Sequence, residues 1–234
     1  MSRGFVILLF ASLLAFAGSG KPANPSLDGG LFSVSKDKQV RFAPGNLEYD
    51  GLGYRFAVHQ YDHGGLFGWG MGSHPTLAAT DCHDYPSFDD WGSHVDGGWR
   101  TLSSDEWFYV INDRPNASTK RGAATVCGVH GLVLLPDSWS GGAFLAGFEN
   151  RWNTNVYDAS SWSVMEAAGA VFLPAAGYRY GSEMGSVGTV GCYWSSTPRN
   201  EYDTYYLCFR GIDEYGYDIG NRDYGHSVRL VQDY

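Results

Sequence analysis

From Leu31 onward the chain alternates short apolar runs with polar turn residues. LFSVS (31–35) and VRFAP (40–44) flank a Lys36-Asp37-Lys38 turn, and NLEY (46–49) and YRFAV (54–58) flank Asp50-Gly51. Runs rich in β-branched and aromatic residues and bounded by tight turns predict strands. Residues 62–98 are rich in Gly, His, Asp and Trp and keep no period. They predict a long excursion over the surface of the sheet. The pattern then changes to helical spacing. Ser103 as N-cap and Glu106 three residues on form a capping box ahead of Trp107, Val110 and Ile111, which predicts a helix over 104–112. A second helix is predicted over 160–168, with Trp162, Met165 and Ala168 on one face and Gly169 as its left-handed cap.

Each helix precedes a continuous apolar run ended by proline, GLVLLP (131–136) and AVFLP (170–174), which read as buried strands. Beyond Gly177 only short strands and polar loops are expected: YWSST (193–197), TYYLCF (204–209), EYGYD (214–218) and HSVRLV (226–231). The outline is α+β, with two helices on a small, mostly antiparallel sheet covered by long surface loops. Residues 31–234 read as a single domain after a short Pro/Gly leader at 21–30.

Composition narrows the class. Glycine, at 32 of 234 residues, is about twice its ordinary share of about 7%. With 16% aromatic and 18% charged residues, disorder and a coiled coil are excluded. Residues 1–20 carry Arg3, the apolar run Phe5–Ala17 and an A-x-A pattern at Ala15 and Ala17. This is the pattern of a secretory signal peptide, so an exported protein is expected: periplasmic, surface-located or secreted, without direct membrane insertion after cleavage. The formal net charge of −9 becomes −10 once Arg3 is removed, and no basic stripe is present, so nucleic acid is not an expected partner. Cys82, Cys127, Cys192 and Cys208 allow two disulfides in three connectivities. Cys192–Cys208 is the pairing slightly favoured, because both lie in neighbouring predicted strands.

WRTLSSDEW (99–107), LLPDSW (134–139), EAAGAVFLPAAGYRYG (166–181), YWSST, YYLCF (205–209) and GHSVRLV (225–231) follow one another in this order. This series resembles exported bacterial proteins of the major paralogous domain type, named for Fibrobacter succinogenes, and their Bacteroidota relatives. The resemblance covers residues 31–234 and implies a C-type-lectin-like fold of the formylglycine-generating-enzyme branch. The C-terminal arrangement is also similar to the variable proteins of diversity-generating retroelements, which implies a binding role. The cysteine pair and R-G-G-S-W-type motif of the enzyme branch are missing, as are the calcium tripeptides of animal lectins.

Candidate chemistry concentrates near the C-terminus. The segment 193–224 holds 7 of the 16 tyrosines, mixed with Asp, Asn and Arg. Tyrosine offers large amphipathic contact area at low entropic cost, and the short polar residues adapt their hydrogen bonds, as in a paratope. The competing reading is that tyrosine simply favours strands. Alternation puts Tyr205, Leu207 and Phe209 in the core and Thr204, Tyr206 and Cys208 outward. The expected ligand-binding set is Tyr193, Arg199, Asn200, Tyr202, Asp203, Tyr206, Cys208, Asp213, Tyr215, Tyr217, Asn221, Asp223 and Tyr224. Its ligand would be a protein or a surface glycan, and the surface a candidate for retroelement diversification.

Other chemistry is thin. His59-x₃-His63 and Asp81-Cys82-His83-Asp84 invite a metal, but Gly64-Gly65 opposes the helix that H-x₃-H needs. No zincin, EF-hand or G-x-S-x-G motif occurs, and no metal or cofactor is expected. Cys208 with His226 is the one nucleophile–base pairing worth naming. Arg100, Arg179 and Arg229 are expected to pair with acids, and Trp99, Trp107, Trp139 and Trp194 to fill the core. Non-catalytic recognition ranks first. A structural or adhesin subunit of a surface appendage follows, and then a formylglycine-generating-type oxidase.

Overall fold

The computed structural model describes residues 30–75, 87–144, 150–211 and 214–234. Residues 1–29, which hold the expected signal peptide and most of the expected leader, lie outside the described residues, as do Cys82, His83 and Asp213. The architecture is mixed α+β: among the described residues there are two short α-helices and small sheets whose strand pairings are antiparallel except for one.

The predicted N-terminal strands form where the alternation places them. β1 (Phe32–Ser33) pairs with β2 (Gln39–Phe42), and β3 (Leu47–Tyr49) pairs with β4 (Tyr54–Phe56) across the Asp50-Gly51 turn. Asp50 Oδ1 accepts from the amides of Leu52 and Gly53 at 2.9 and 3.1 Å, which closes that turn. α1 (Ser104–Phe108) starts on the predicted capping box: Ser103 Oγ accepts from the Glu106 amide, and the Glu106 carboxylate accepts from the Ser103 amide. After Phe108 the helix widens into a π turn, Tyr109–Asp113, and ends at Arg114. The buried guanidinium of Arg114 donates to the carbonyls of Val110, Leu135 and Lys120. It satisfies groups that a helix end would otherwise leave unpaired.

A four-stranded sheet carries both continuous apolar runs. Its order is β7 (Val156–Tyr157), β5 (Arg121–Val126), β6 (Val129–Leu134) and β8 (Val171–Pro174). α2 (Ala159–Ala167) is capped by Asp158 and stopped by Gly169 at φ +91°, as the glycine predicts. Trp162 faces the core; Ala168, expected on the same face, is exposed. The hairpin of β9 (Tyr178–Tyr180) and β10 (Glu183–Gly185) precedes the second large sheet. That sheet is β11 (Val190–Pro198), β12 (Asp203–Arg210) and β13 (Glu214–Asn221), with β12 central.

One core cluster joins Phe32, Phe42, Trp107, Leu132, Leu173, Tyr193, Leu207 and Phe209, and so ties α1 to both large sheets. Each such side chain contributes about 1.5–3 kcal/mol through burial. Three sequence expectations are corrected here. The 62–98 segment is not a surface excursion, since Phe67, Trp69, Met71 and Trp91 are buried. Indole donors hold it in place: Trp69 donates to the Ser195 carbonyl and Trp194 to the Phe67 carbonyl. HSVRLV is not one strand. Residues 226–230 run extended and buried, bonded in turn to Phe67, Trp194, Leu47 and Ala43, and only Val231–Asp233 (β14) joins a sheet, beside β2. Finally, of the three arginines, Arg100 meets acids (Glu106 and Asp233). Arg229 donates instead to Asn46 Oδ1 and to the Ala43 and Phe172 carbonyls, and Arg179 to those of Gly181 and Leu66. Trp99, Trp107 and Trp194 are core residues, whereas Trp139 is half-buried.

Candidate functional site

The alternation of β12 decides what each face of its sheet can do. Leu207 and Phe209 turn into the core, and Tyr206 and Cys208 turn the other way. Residues directly opposite in an antiparallel pair share a face. Cys208 lies between Cys192 on β11 and Gly216 on β13, and Tyr206 between Trp194 and Asp218. Thr204, expected outward, is buried, and its hydroxyl donates to the Thr197 carbonyl at 2.7 Å.

Two further segments wall in this face. After β13 the chain turns back so that His226 packs against Trp194 and Tyr206, with ring centroids 4.0 and 4.5 Å apart. The β9–β10 hairpin stands across from it, and Tyr178 and Tyr180 both meet the ring of Tyr224. Gly177, at φ +72°, allows that entry: a Cβ there would lie 2.2 Å from the Gly185 carbonyl oxygen. The result is a cleft of about 390 Å³ lined by Tyr178, Cys192, Tyr206, Cys208, Tyr224 and His226 among others. Its volume falls in the small-molecule range of about 300–1,000 Å³.

The cleft lining combines aromatic rings and thiols with one guanidinium, that of Arg210. Burial, aided by the nearby Arg179 charge, pushes the His226 imidazole down to about 3. A hydrogen bond with Cys208, together with burial, holds the Cys192 thiol far above the thiol range. Burial and neighbouring acidic groups raise the Tyr206 phenol as well. A protonated thiol beside a weakly basic imidazole is a poor nucleophile–base pair, and the raised Cys192 thiol stands in that relation to His226. Among the described residues no group of three or more His, Cys, Asp or Glu is placed to hold a metal ion.

Of the expected ligand-binding residues, Tyr206, Cys208 and Tyr224 line the cleft. Tyr193 does not: it is fully buried, its hydroxyl donating to the Pro174 carbonyl and accepting from Asn46 Nδ2. Arg199, Asn200, Tyr202 and Asp203 build the β11–β12 turn. Asn200 Oδ1 accepts there from the amides of Tyr202 and Asp203, both at 2.7 Å. Tyr217 lies on the opposite face from Tyr206, against Phe108 and Tyr205. Asn221 caps the turn to Asp223 at 3.0 Å. Tyr215 is placed by its backbone alone, opposite Phe209. The expected set is therefore divided between two faces and two turns. Sequence reasoning missed Tyr178, Arg210 and His226 as cleft-lining residues. The YRYG hairpin was the available signal for the first; nothing local signalled the third.

Cys127, Cys192 and Cys208 carry no disulfide. The favoured Cys192–Cys208 disulfide is thus not formed: the two thiols share a hydrogen bond, and their geometry is ready to close. The Cys192 carbonyl and the Trp194 amide both bond to Ser227, so Tyr193 is the residue that bonds across to Leu207. Cys192 and Cys208 form a non-hydrogen-bonded pair, with an expected Cα separation of about 4.5 Å, inside the span of a disulfide. Oxidised glutathione should join them, two thiols giving up two protons and two electrons as glutathione disulfide becomes two glutathiones. Closing a loop of about 15 residues should stabilise the chain by about 3 kcal/mol. Alkylation and peptide mapping check this. Cys192 and Cys208 both staying alkylatable would sink it.

Fold and cleft together define an α+β protein with a tyrosine-walled recess on one sheet face. Comparison with protein-family models, with curated proteins and with solved structures gave no match.

Proposed function

We propose that this is an exported, non-catalytic binding protein of C-type-lectin-like fold that holds its ligand in the tyrosine-walled cleft. The observation that carries the reading is the convergence of Tyr178, Tyr206, Tyr224 and His226 on one recess, with the Arg210 guanidinium in its lining. Aromatic walls with a few fixed polar atoms suit recognition, and a protonated thiol with a barely basic imidazole does not suit turnover. Export rests on the N-terminal sequence pattern, and the lectin-like fold on the ordered motifs together with the α+β outline. The turns 199–203 and 221–224 flank the scaffold and are the places where sequence can vary without disturbing the core.

Gly216→Phe tests the reading. A Cβ at Gly216 meets nothing within 4 Å, and the residue sits opposite Cys208 on the cleft side. The phenyl ring should cover the cleft without strain. The labelled protein is applied to a glycan array and to a panel of intact bacterial cells. Binding should fall at least tenfold in Gly216→Phe and stay unchanged in Leu52→Glu, a substitution in the exposed β3–β4 turn. Binding that ignores Gly216→Phe would remove the cleft from the function.

A further inference from the structure

Among the described residues, the sheet of β11, β12 and β13 has one open edge. The outer side of β11 is occupied, with Gly177 beside Gly191 and Ser227 beside Tyr193. β13 is the other outer strand. Its pairing with β12 runs from Glu214 to Asn221 without a register shift, so no bulge bends it away. It holds no lysine and no proline, the residues that commonly blunt an exposed edge.

The ladder decides which backbone groups point outward. Tyr193 and Leu207 bond to each other between β11 and β12, so the backbone groups of Tyr206 and Cys208 turn to β13 and meet Asp218 and Gly216. The N–H and C=O groups of Tyr217 and Ile219 therefore face away from the sheet. Among the described residues, no backbone group meets them. The Ile219 amide instead donates to the carboxylate of Asp218 at 2.8 Å.

The two sides of this edge differ in chemistry. Tyr217 and Ile219 are 50% and 37% exposed, and the exposed ring of Phe108 stands edge-on to Tyr217 at 5.6 Å. They form an apolar strip beside the edge, on the α1 side. Asp218 is exposed and belongs to the other side. β13 holds no cation, and the arginine of the neighbouring strand, Arg210, lies opposite Glu214, four residues along from Asp218. A second copy is a poor occupant. Pairing two β13 strands about their centres would gather both Asp218 carboxylates, between chains that each carry a formal charge of −9.

We propose that β13 takes an extended, basic segment of a partner protein as the next strand of its sheet. Alternate apolar side chains of that segment pack on Phe108, Tyr217 and Ile219, and a lysine or arginine between them meets Asp218. That cation draws the carboxylate off the Ile219 amide, which then donates to the added strand. Asp218 both covers the edge and selects its partner. Backbone bonds supply the affinity and alternate side chains the specificity.

The probe is a capped nonapeptide of alternating lysine and valine, titrated into the full chain at physiological ionic strength. Its counterparts are the same residues arranged as two blocks, and an alternating glutamate–valine peptide. Residue-resolved amide exchange reads Tyr217 and Ile219. The alternating basic peptide should bind at least tenfold tighter than either counterpart and slow exchange at both amides at least tenfold. Tyr217→Pro removes an outward N–H without breaking a bond to β12, and it should weaken binding at least tenfold. Tyr217→Lys, which keeps the backbone intact, should do the same, and Leu52→Glu should change nothing. Asp218→Asn should erase the preference for lysine over glutamate. Equal binding of the block or acidic peptide would overturn the proposal, as would binding that leaves the Tyr217 amide unprotected, or no binding at all. A concentration-dependent dimer in ultracentrifugation that protects the same amides would give the edge to a second copy instead.

Discussion

Replacing Arg229 with methionine should destabilise the protein by about 3–5 kcal/mol. The side chain is 1% exposed and crosses the interior between three elements. Nε donates to Asn46 Oδ1 at 3.1 Å, and the terminal nitrogens donate to the carbonyls of Ala43 and Phe172 at 3.0 and 2.5 Å. Asn46 in turn donates to the His63 carbonyl and the Tyr193 hydroxyl, so one cation organises the start of β3, the end of the chain and β8. Burial pushes the guanidinium down to about 10, which leaves it charged at neutral pH. Methionine relieves the cost of burying that charge, but it strands three neutral acceptors at about 1–3 kcal/mol each. The second effect wins because nothing else can fill those acceptors. Arg229→Lys should recover little, since one ammonium cannot span the three positions. Urea unfolding at pH 7 measures this, and a loss below about 1 kcal/mol would show that the network is dispensable.

Acid should cost stability well above the carboxylate range, and His226 should be the reason. In the folded protein its imidazole titrates near 3, against an ordinary value of 6.5. Between those values the unfolded chain binds a proton that the folded chain refuses, so stability falls as pH falls through the window from 6.5 to 3. The full separation corresponds to at most about 5 kcal/mol, complete at pH 3 and absent above pH 6.5. The groups around the ring include the Arg179 guanidinium, the Tyr206 phenol and the Cys192 thiol, and the phenol and thiol are both pushed upward, away from that window. Asp158, exposed and held at about 2 by the Ser161 amide and hydroxyl, acts lower. Urea unfolding at intervals from pH 4 to 7 should show a slope in the native protein and a flatter profile in His226→Phe. An equal slope in both would assign the acid sensitivity elsewhere.

Much of the scaffold could be read from local patterns. The Ser103–Glu106 box, the Gly169 stop and the Asp50-Gly51 turn each depend on groups within a few residues, so sequence alone carries them. The period of two in 204–209 likewise separates Leu207 and Phe209 from Tyr206 and Cys208. Errors arose where a residue's surroundings come from distant parts of the chain. Segment 62–98 looks polar because Gly, His and Asp surround its aromatics, yet Trp69 and Trp91 reach the core. Tyr193 and Tyr217 share the chemistry of Tyr206 but occupy a buried network and the opposite sheet face. A dense tyrosine segment states what a surface can be made of, not which tyrosines face the same way.

By itself, then, the sequence determined the α+β outline, the helix starts, the Gly169 stop, and the alternation that turns Tyr206 and Cys208 away from Leu207 and Phe209. All of these follow from backbone preferences and alternation over a few residues. Only the tertiary structure decided that Tyr178, Tyr206, Tyr224 and His226 share a cleft. It also decided that His226 is neutral with a free nitrogen, and that Arg229 is satisfied by oxygens without a carboxylate. Burial, dielectric environment and hydrogen-bond completion depend on which remote segments pack together, and long-range packing leaves no mark on the spacing of residues along the chain.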